Sequence, residues 1–472
     1  MIVSILCFLL LFFAIKENER GNKVTSTFIF FLFLFSGFGF FHEEWMSGAP
    51  INKYNDFAIF YIFYILLRYK NTSFFSNTIY KLFGLLVLYS TISFIFTIVT
   101  KTEIFSFSLK TYRLFFLYLS FVVFHKLNKF QLKKIFNLVC VSTYIAAIVY
   151  VTQPLHKLPI LDRMVDLNSI FLEDGGYVRF RNVPELLYFL TCYALITLKI
   201  SNVRSVLLIS ICGMSIILTQ HRAVMLACVA VICYYLLLSR QFNKLVQYSI
   251  VGLIGFACVG SMIIDRFNDE HGKEGTKTFD DIENVFNLDY KSAANNGYDA
   301  EGGTFAFRVL LFVERFDYFV HHTKYLLTGL GMRHEDSPYT SRDFNFVLGS
   351  RKRDPSTGMW IPQQICSGDL VWFNPFMRLG LLGLFIYILI TYRIVCFFYT
   401  HKNCGIVTMS AFLYYMLLII ISMKNDMLFA SKQLALLFLL IELIEKIDVQ
   451  NKEECHCFLN CNILNLKEKM TI

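Results

Sequence analysis

The chain has 472 residues, of which 56% are hydrophobic and 17% aromatic, while only 17% are charged. This composition excludes an ordinary soluble globular domain and is typical of an integral membrane protein. The net charge of +9, from 44 Lys and Arg against 35 Asp and Glu, needs no nucleic-acid partner, because Lys and Arg on cytoplasmic loops produce such an excess through topology and lipid headgroups.

Apolar runs close to the length of a membrane-crossing helix, about 20 residues, recur along the chain. The first run follows Met1 without a basic segment, and we interpret it as a retained helix. The predicted fold is therefore all-α, a polytopic transmembrane helical bundle of about 11–14 spans. The predicted spans are 1–15, 26–41, 51–67, 82–99, 106–124, 135–152, 183–198, 204–218, 223–239, 245–264, 373–392, 405–422 and 427–444.

Short loops rich in Lys and Arg fall on alternate sides of these spans, for example around 16–23 and 126–134. The positive-inside rule predicts that these loops are cytoplasmic, which places the long segments 153–182 and 265–370 outside. The chain then divides into four parts, which are N-terminal spans over 1–264, a large external loop over 265–370, C-terminal spans over 371–445 and a cytoplasmic tail over 446–472.

One part of the large loop has helical periodicity. Residues 265–303 are acidic and rich in turn-forming residues, whereas apolar residues recur at helical spacing over 304–328 until Gly329 and Gly331. We interpret 304–328 as an amphipathic helix that lies along the outer membrane interface or packs on the spans.

Several cations are predicted near the outer headgroup level, where an enzyme that acts on a lipid-linked diphosphate needs them. Arginine suits this role because its planar guanidinium binds two phosphate oxygens and stays charged. The alternative for each is a structural charge at the membrane interface. The candidates are Lys110, Arg113, Arg222, Arg308, Arg315 and Arg378.

A glycosyl transfer also needs a base for the acceptor hydroxyl. Asp369 is the first candidate because it lies directly before the span that begins at 373. A helix N-cap is the structural alternative for this residue. The other external candidates are Glu43, Glu44, Glu314, Asp317, His321, His322 and His334.

Cysteine usage gives no metal site. The chain has 13 Cys, mostly inside spans, where Cys behaves as a small apolar residue. The tail residues Cys455, His456, Cys457 and Cys461 lack paired spacing and are predicted to lie on the reducing side. We expect no metal and no cofactor.

Four local patterns together resemble the superfamily of O-antigen polymerases and O-antigen ligases. The turn 219–223 resembles that family's short outer turn with an arginine, and Phe180 to Pro184 resembles its entry to a span. Arg308 followed by an aromatic helix and Leu326 to Gly331 resembles another of its segments. Asp369 followed by Gly380 and Gly383 resembles the ligase pattern of His-Asn, nine residues and Gly-x-x-Gly.

The chain departs from the family pattern at two places, and the first of them favours a polymerase over a ligase. Asp369 and Leu370 occupy the positions of the ligase His and Asn, so the ligase's catalytic His has no equivalent here. The paired outer loops of the polymerases, with Arg, ten residues and Gly, are also not matched, because Asp174 stands eleven residues after Arg163. The family pattern therefore does not supply the general base, and Asp369 is our candidate because it occupies the position of the ligase His.

The resemblance implies an inner-membrane polymerase of a bacterial O-antigen or capsule-type polysaccharide. Its substrates would be oligosaccharide repeat units on undecaprenyl diphosphate, as donor and as acceptor, and its partners the bilayer, a chain-length regulator and a flippase. It implies a metal-independent transfer in which Arg222 and Arg308 hold the diphosphate and Asp369 is the base. The expected substrate-binding residues are Arg315, Arg378, Arg181, Lys110, Arg113 and His321.

Three other functions remain open at this stage. An O-antigen ligase would transfer the finished glycan to a different acceptor. A metal-dependent glycosyltransferase that uses a polyprenyl-monophosphate sugar would need paired outer carboxylates, for which Glu43 and Glu44 are candidates, and EDTA would inhibit it. A polysaccharide flippase would spread its charges over many spans, which fits this chain poorly.

The substitution Asp369→Asn tests whether Asp369 acts as the general base or only as a helix N-cap. Asn caps a helix about as well as Asp, whereas loss of a general base costs about 100-fold to 10,000-fold in rate. We expect the purified variant to bind lipid-linked substrate and to polymerise at a rate at least about 100-fold lower, with or without EDTA. A rate within about threefold of the original would assign Asp369 to capping, because Asn preserves the cap.

Overall fold

The computed structural model of this protein describes residues 2–46, 51, 53–69, 72–156, 160–162, 183–184, 186–199, 201–219, 221–239, 245–250, 252–253, 260, 304–334, 337–344, 372–423 and 426–448. The regular structure in these residues is helical, and they contain no β-strand. The prediction of an all-α fold is confirmed at this level.

Sixteen α-helices have both ends within the described residues, ten of them before residue 240 and six after residue 303. The first ten are α1 (Ile2–Glu19), α2 (Lys23–Leu34), α3 (Tyr54–Arg68), α4 (Thr78–Val99), α5 (Phe105–Tyr112), α6 (Phe121–His125), α7 (Lys129–His156), α8 (Leu187–Thr197), α9 (Val203–Leu218) and α10 (Arg222–Ser239). The others are α11 (Thr304–His321), α12 (Thr323–Thr328), α13 (Pro338–Asp343), α14 (Phe373–His401), α15 (Ile406–Ile421) and α16 (Ser431–Asp448).

Among the described residues, four helical segments are long and apolar enough to cross a membrane. Five shorter apolar helices accompany them, and α2, α8, α9 and α15 are among these. The chain therefore has the helices of a membrane protein. The four long segments are Thr78–Val99, Phe105–His125, Lys129–Thr152 and Phe373–Cys404.

The last of the described helices, α16, is buried all around its circumference. The eight consecutive residues from Leu434 to Ile441 have no exposed surface. α16 packs against α6, α7 and α15, so it lies inside the described structure rather than on its outside. A helix that is apolar on every face occurs in a protein core or as a membrane span, and here the burial shows the first position.

The C-terminal half of α16 is anchored by charged side chains. Lys446 donates through Nζ to the carbonyl oxygen of His125 at 2.8 Å and lies 3.4 Å from a Glu442 carboxylate oxygen. The imidazole of His125 is 3.3 Å from the other oxygen of Glu442, and the side chain of Asn77 donates to Glu445. Glu442 is 2% exposed, and a carboxylate buried to that extent needs a cationic partner such as Lys446.

Several predicted element boundaries are wrong in detail. The span predicted over 26–41 ends at Leu34, because the chain then enters a run of left-handed residues from Ser36 to Gly39. The predicted helix 304–328 breaks into α11 and α12 at His322. Within the span predicted over 106–124, residues Arg113–Leu119 form a 3-10 helix between α5 and α6.

Other predicted boundaries shift. The span predicted over 183–198 begins as a helix only at Leu187, because Leu186 has a φ of 64° and cannot continue a right-handed helix. The span predicted over 373–392 continues to His401. Most of the span predicted over 245–264 lies outside the described residues.

Two glycines allow α12 and α14 to touch through their backbones. Gly329, directly after α12, has φ 73° and ψ −176°, and Gly380, inside α14, has φ 67° and ψ −163°. Only glycine adopts this region readily. The amide nitrogen of Leu330 donates to the carbonyl oxygen of Met377 at 2.8 Å, and that of Gly331 donates to Arg378 at 3.1 Å. We call this contact the glycine crossing.

The glycine crossing has no room for a side chain. A Cβ atom on Gly329 would lie 2.4 Å from the backbone of Arg378, and a Cβ atom on Gly380 would lie 2.3 Å from the carbonyl oxygen of Leu327. Both obstacles are backbone atoms, which cannot rotate away as a side chain does. Alanine at either position therefore forces the two helices apart.

Gly380→Ala is expected to destabilise the protein, with Gly213→Ala as its matched control. The unfavourable backbone conformation alone costs about 1–3 kcal/mol, and the overlap with Leu327 adds to it. Gly213 lies inside α9 with open space around its Cβ position, so alanine there is neutral or stabilising. Heating purified protein in detergent and measuring the soluble fraction tests this. Equal midpoints for both variants would contradict a tight crossing.

Candidate functional site

The glycine crossing places a group of polar residues beside the end of α4 and the start of α14. We call this group the arginine junction and define it as Thr97, Glu103, Arg333, Asp343 and Arg378. The hydroxyl oxygen of Thr97 accepts from the amide of Met332 at 3.2 Å. The junction therefore joins residues that are more than 200 positions apart in the sequence.

Arg378 is the half-buried cation of the arginine junction, on the first turns of α14. Its Nε donates to the side-chain oxygen of Asn374 at 2.9 Å, and its Nη1 donates to the carbonyl oxygen of Arg333 at 2.5 Å. These two bonds fix the plane of the guanidinium. A guanidinium held in one orientation is pre-organised to bind a further partner, such as a phosphate group.

Arg333 is buried to 3% exposure and pairs with Asp343. Its Nη1 lies 2.7 Å from Asp343 Oδ2, and both side chains are nearly inaccessible. The Nε atom of Arg333 has no hydrogen-bond partner in the described part of the chain. The hydroxyl of Tyr318 donates to the same carboxylate at 3.5 Å, and burial is the main cause that raises the pKa of Tyr318, so this phenol stays protonated.

Glu103 organises the segment that follows the glycine crossing. One of its carboxylate oxygens accepts from the amide of His334 at 3.1 Å, and the other accepts from the hydroxyl of Ser337 at 2.8 Å. The amide of Ile104 donates to this second oxygen at 2.7 Å. A buried carboxylate with three donors is a structural anion, because its lone pairs are already used.

Arg315 is fully buried, unlike a charge at the membrane interface. Its guanidinium pairs with Glu314 and lies 4.4 Å from the centre of the Phe344 ring. The predicted role of Arg315 in substrate binding would require this cation to leave both partners.

The remaining described candidates lie in different places. Lys110 is exposed, with its Nζ 5.1 Å from the Phe107 ring, and that ring stacks on His334 beside the arginine junction. Arg113 points elsewhere and forms an ion pair of 3.0 Å with Asp56. His321 is exposed at the end of α11, 3.5 Å from a carboxylate oxygen of Asp317.

Four predicted site residues have no described side chain. Asp369 and Arg181 lie outside the described residues, as do the tail cysteines. Arg222 begins α10 and Arg308 lies in α11, but their side chains are also outside the described part.

Sequence reasoning missed Arg333 and Glu103. A signal for Arg333 was present, since it stands two residues after Gly331 in a stretch that already matched a family pattern. Glu103 gave no signal, because an acidic residue in a short loop between apolar runs is ordinarily solvated.

A cavity of about 270 Å³ lies apart from the arginine junction. Its polar residues supply two hydroxyls, two carboxylates, an ammonium group and an amide, and three aromatic rings and apolar residues complete the lining. The lining residues are Phe35, Ser36, Phe38, Gly39, Glu43, Leu161, Asp162, Val183, Pro184, Tyr188, Met427, Lys432 and Gln433.

One wall of the cavity has an unusual backbone. Ser36 and Phe38 have φ values of 48° and 60°, in the left-handed region that non-glycine residues rarely adopt. The amide of Asp162 donates to the carbonyl oxygen of Gly39 at 2.7 Å, which closes this wall. Such strained positions are often found at functional sites.

The described residues contain no group of three or more His, Cys, Asp or Glu arranged to bind a metal ion. A comparison with models of known protein families finds no match, and no curated protein matches the chain.

Asp343→Asn tests the arginine junction as a structural unit, with Asp317→Asn as its control. Removing one partner of a buried ion pair leaves the other charge unpaired and costs about 3–5 kcal/mol. Asp317 is 53% exposed at its side chain, so its neutralisation should cost within about 0.5 kcal/mol. We expect a lower thermal midpoint for purified Asp343→Asn only. An unchanged midpoint would show that Arg333 does not depend on this carboxylate.

Proposed function

We propose that this chain is a bacterial inner-membrane glycosyltransferase that polymerises oligosaccharide repeat units carried on undecaprenyl diphosphate. The observation that carries this proposal is the fixed guanidinium of Arg378 at the start of a membrane-crossing helix. In the proposed topology the start of this helix lies at the outer headgroup level, where lipid diphosphates are found, and a guanidinium can bind two phosphate oxygens at once. The motif resemblance to O-antigen polymerases supports the same substrate.

The sidedness expected from the basic loops supports an external reaction. The start of α14, the end of α4 and the segment 329–344 belong to the end of the bundle away from Lys126 and Lys446. The positive-inside rule assigns the Lys126 end to the cytoplasm. The arginine junction then faces the periplasm, where finished repeat units are joined.

In the proposed reaction, a hydroxyl oxygen of the acceptor sugar attacks the anomeric carbon of the donor glycan. The bond between that carbon and the diphosphate oxygen breaks, and the undecaprenyl diphosphate leaves with the bonding electrons. The acceptor proton passes to the base, for which Asp369 is the candidate. Arg378, with Arg222, Arg308 and Lys110, stabilises the negative charge that develops on the leaving group.

The buried cations have a different role. Arg315 and Arg333 pair with Glu314 and Asp343, so in this proposal they maintain the shape of the site while Arg378 contacts the substrate. The paired-carboxylate alternative has less support, because Glu43 lines the cavity whereas Glu44 is exposed. The two carboxylates therefore do not line the same cavity.

Deleting the gene and running the surface glycan on a gel distinguishes a polymerase from a ligase or a flippase. Loss of a polymerase leaves a single repeat unit on its acceptor, whereas loss of a ligase or a flippase leaves the acceptor bare. A full ladder in the deletion strain would refute the proposal.

Arg378→Lys in the complemented deletion strain tests the arginine, with Arg393→Lys as its control on the same helix. Lysine keeps the charge but loses the two-pronged fit to phosphate, and loss of one positioned donor typically costs about 100-fold to 1,000-fold in rate. We expect single repeat units from Arg378→Lys, and also from Arg222→Lys and Arg308→Lys. Arg393 is exposed further along α14, so Arg393→Lys should give a normal ladder. If all four variants produce the same ladder of surface glycan, Arg378, Arg222 and Arg308 do not take part in the reaction.

A further inference from the structure

The cavity between the end of α2 and the starts of α8 and α16 differs in chemistry from the arginine junction. Two carboxylates, Glu43 and Asp162, and one ammonium group, Lys432, line the cavity. A phosphate or diphosphate would be repelled by those carboxylates. The hydroxyl groups of a sugar, in contrast, need acceptors and donors together, and the side chains of this wall supply both.

Aromatic rings complete the chemistry that a sugar needs. The ring of Tyr188 lines the cavity. Trp45, two residues after Glu43, is 50% exposed and stacks on His42 with the ring centres 4.7 Å apart. The C–H face of a sugar ring packs on such amphipathic aromatic surfaces while its hydroxyls reach polar groups.

The cavity wall is held in place before any ligand binds. The Nδ1 atom of His42 lies 4.0 Å from an Asp162 carboxylate oxygen, and its Nε2 is 3.3 Å from the carbonyl oxygen of Ile160. The hydroxyl of Tyr54 contacts the carbonyl oxygen of His42 at 3.0 Å. A polar wall that is fixed in advance loses less entropy when it binds a ligand.

One short turn packs on both the cavity and the helix that carries Arg378. Met427 lines the cavity, and Phe429 in the same turn packs on Tyr387 of α14 with the ring centres 4.3 Å apart. Trp372, which precedes α14, also contacts Phe429. The turn Asp426–Phe429 therefore contacts both the cavity and α14, the helix that carries Arg378.

We infer that this cavity is a subsite for a neutral sugar at the end of the acceptor glycan. The inference rests on the proposed polymerase function, because it assigns the acceptor to the cavity and the donor diphosphate to the arginine junction. A volume of about 270 Å³ is near the lower limit of small-molecule sites, about 300 Å³. It suits a terminal sugar rather than a whole repeat unit.

The test measures binding of the lipid-free repeat-unit oligosaccharide, released by mild acid from the surface glycan of the producing strain. The purified full chain is held in lipid nanodiscs, and saturation-transfer NMR gives the dissociation constant. Loss of a hydrogen bond to a charged group weakens binding about 10-fold to 100-fold. We expect this loss in Glu43→Gln and in Asp162→Asn, with melting midpoints close to that of the original protein.

Glu44→Gln is the matched control. It makes the same chemical change one residue further along, at a side chain that is exposed and does not line the cavity. Its affinity for the oligosaccharide should stay within about twofold, since surface changes have small effects. Inorganic pyrophosphate should not compete with the oligosaccharide, because the cavity carries more negative than positive side chains.

Three results would overturn the inference and leave the polymerase intact. The first is that the protein polymerises in membranes but does not bind the oligosaccharide. The second is that both cavity variants bind the oligosaccharide as well as the original protein does. The third is that pyrophosphate competes with the oligosaccharide. If the deletion strain instead makes a full ladder, the polymerase proposal fails. A selective loss of sugar binding in Glu43→Gln would still assign the cavity to a sugar in that case.

Discussion

The contact on which the candidate site depends is made by backbone alone, where the turn after α12 crosses α14 at Gly380. Two amide hydrogen bonds, from Leu330 and Gly331 to carbonyl groups of α14, join segments that lie about 50 residues apart. A non-glycine residue at either crossing point would separate them. The carbonyl of Arg333, which orients Arg378, reaches its position only because this contact exists.

Burial of charge is the second constraint on this molecule. Arg315, Arg333 and Glu442 are each inaccessible and each has a partner of opposite charge. Desolvation of an unpaired ion costs more free energy than such a fold can recover, so these side chains are committed to structure. An arginine in the sequence of a membrane protein is therefore not in itself a candidate for binding phosphate. Partial exposure, as at Arg378, is the property that distinguishes the binding candidates.

The sequence predicts the helices better than it predicts the site. Apolar runs indicated α4 and α14 because a lipid-facing helix must be continuously apolar, and Gly329 correctly marked the end of α12. The early end of α2 was missed because the left-handed residues Ser36 and Phe38 carry no distinctive sequence signal. Arg333 was missed because its importance follows from partners brought near it by tertiary contacts, which periodicity does not reveal.

The buried position of α16 has a consequence for the order in which the chain is made. A chain is synthesised from its N-terminus, so α1 to α15 are made before the helix around which α6, α7 and α15 pack. Until α16 arrives, their inner faces enclose a groove that only lipid or another helix can fill. The final packing of the early helices therefore waits for translation of residues 431–448, and a ribosome that stalls before them leaves an incomplete bundle in the bilayer.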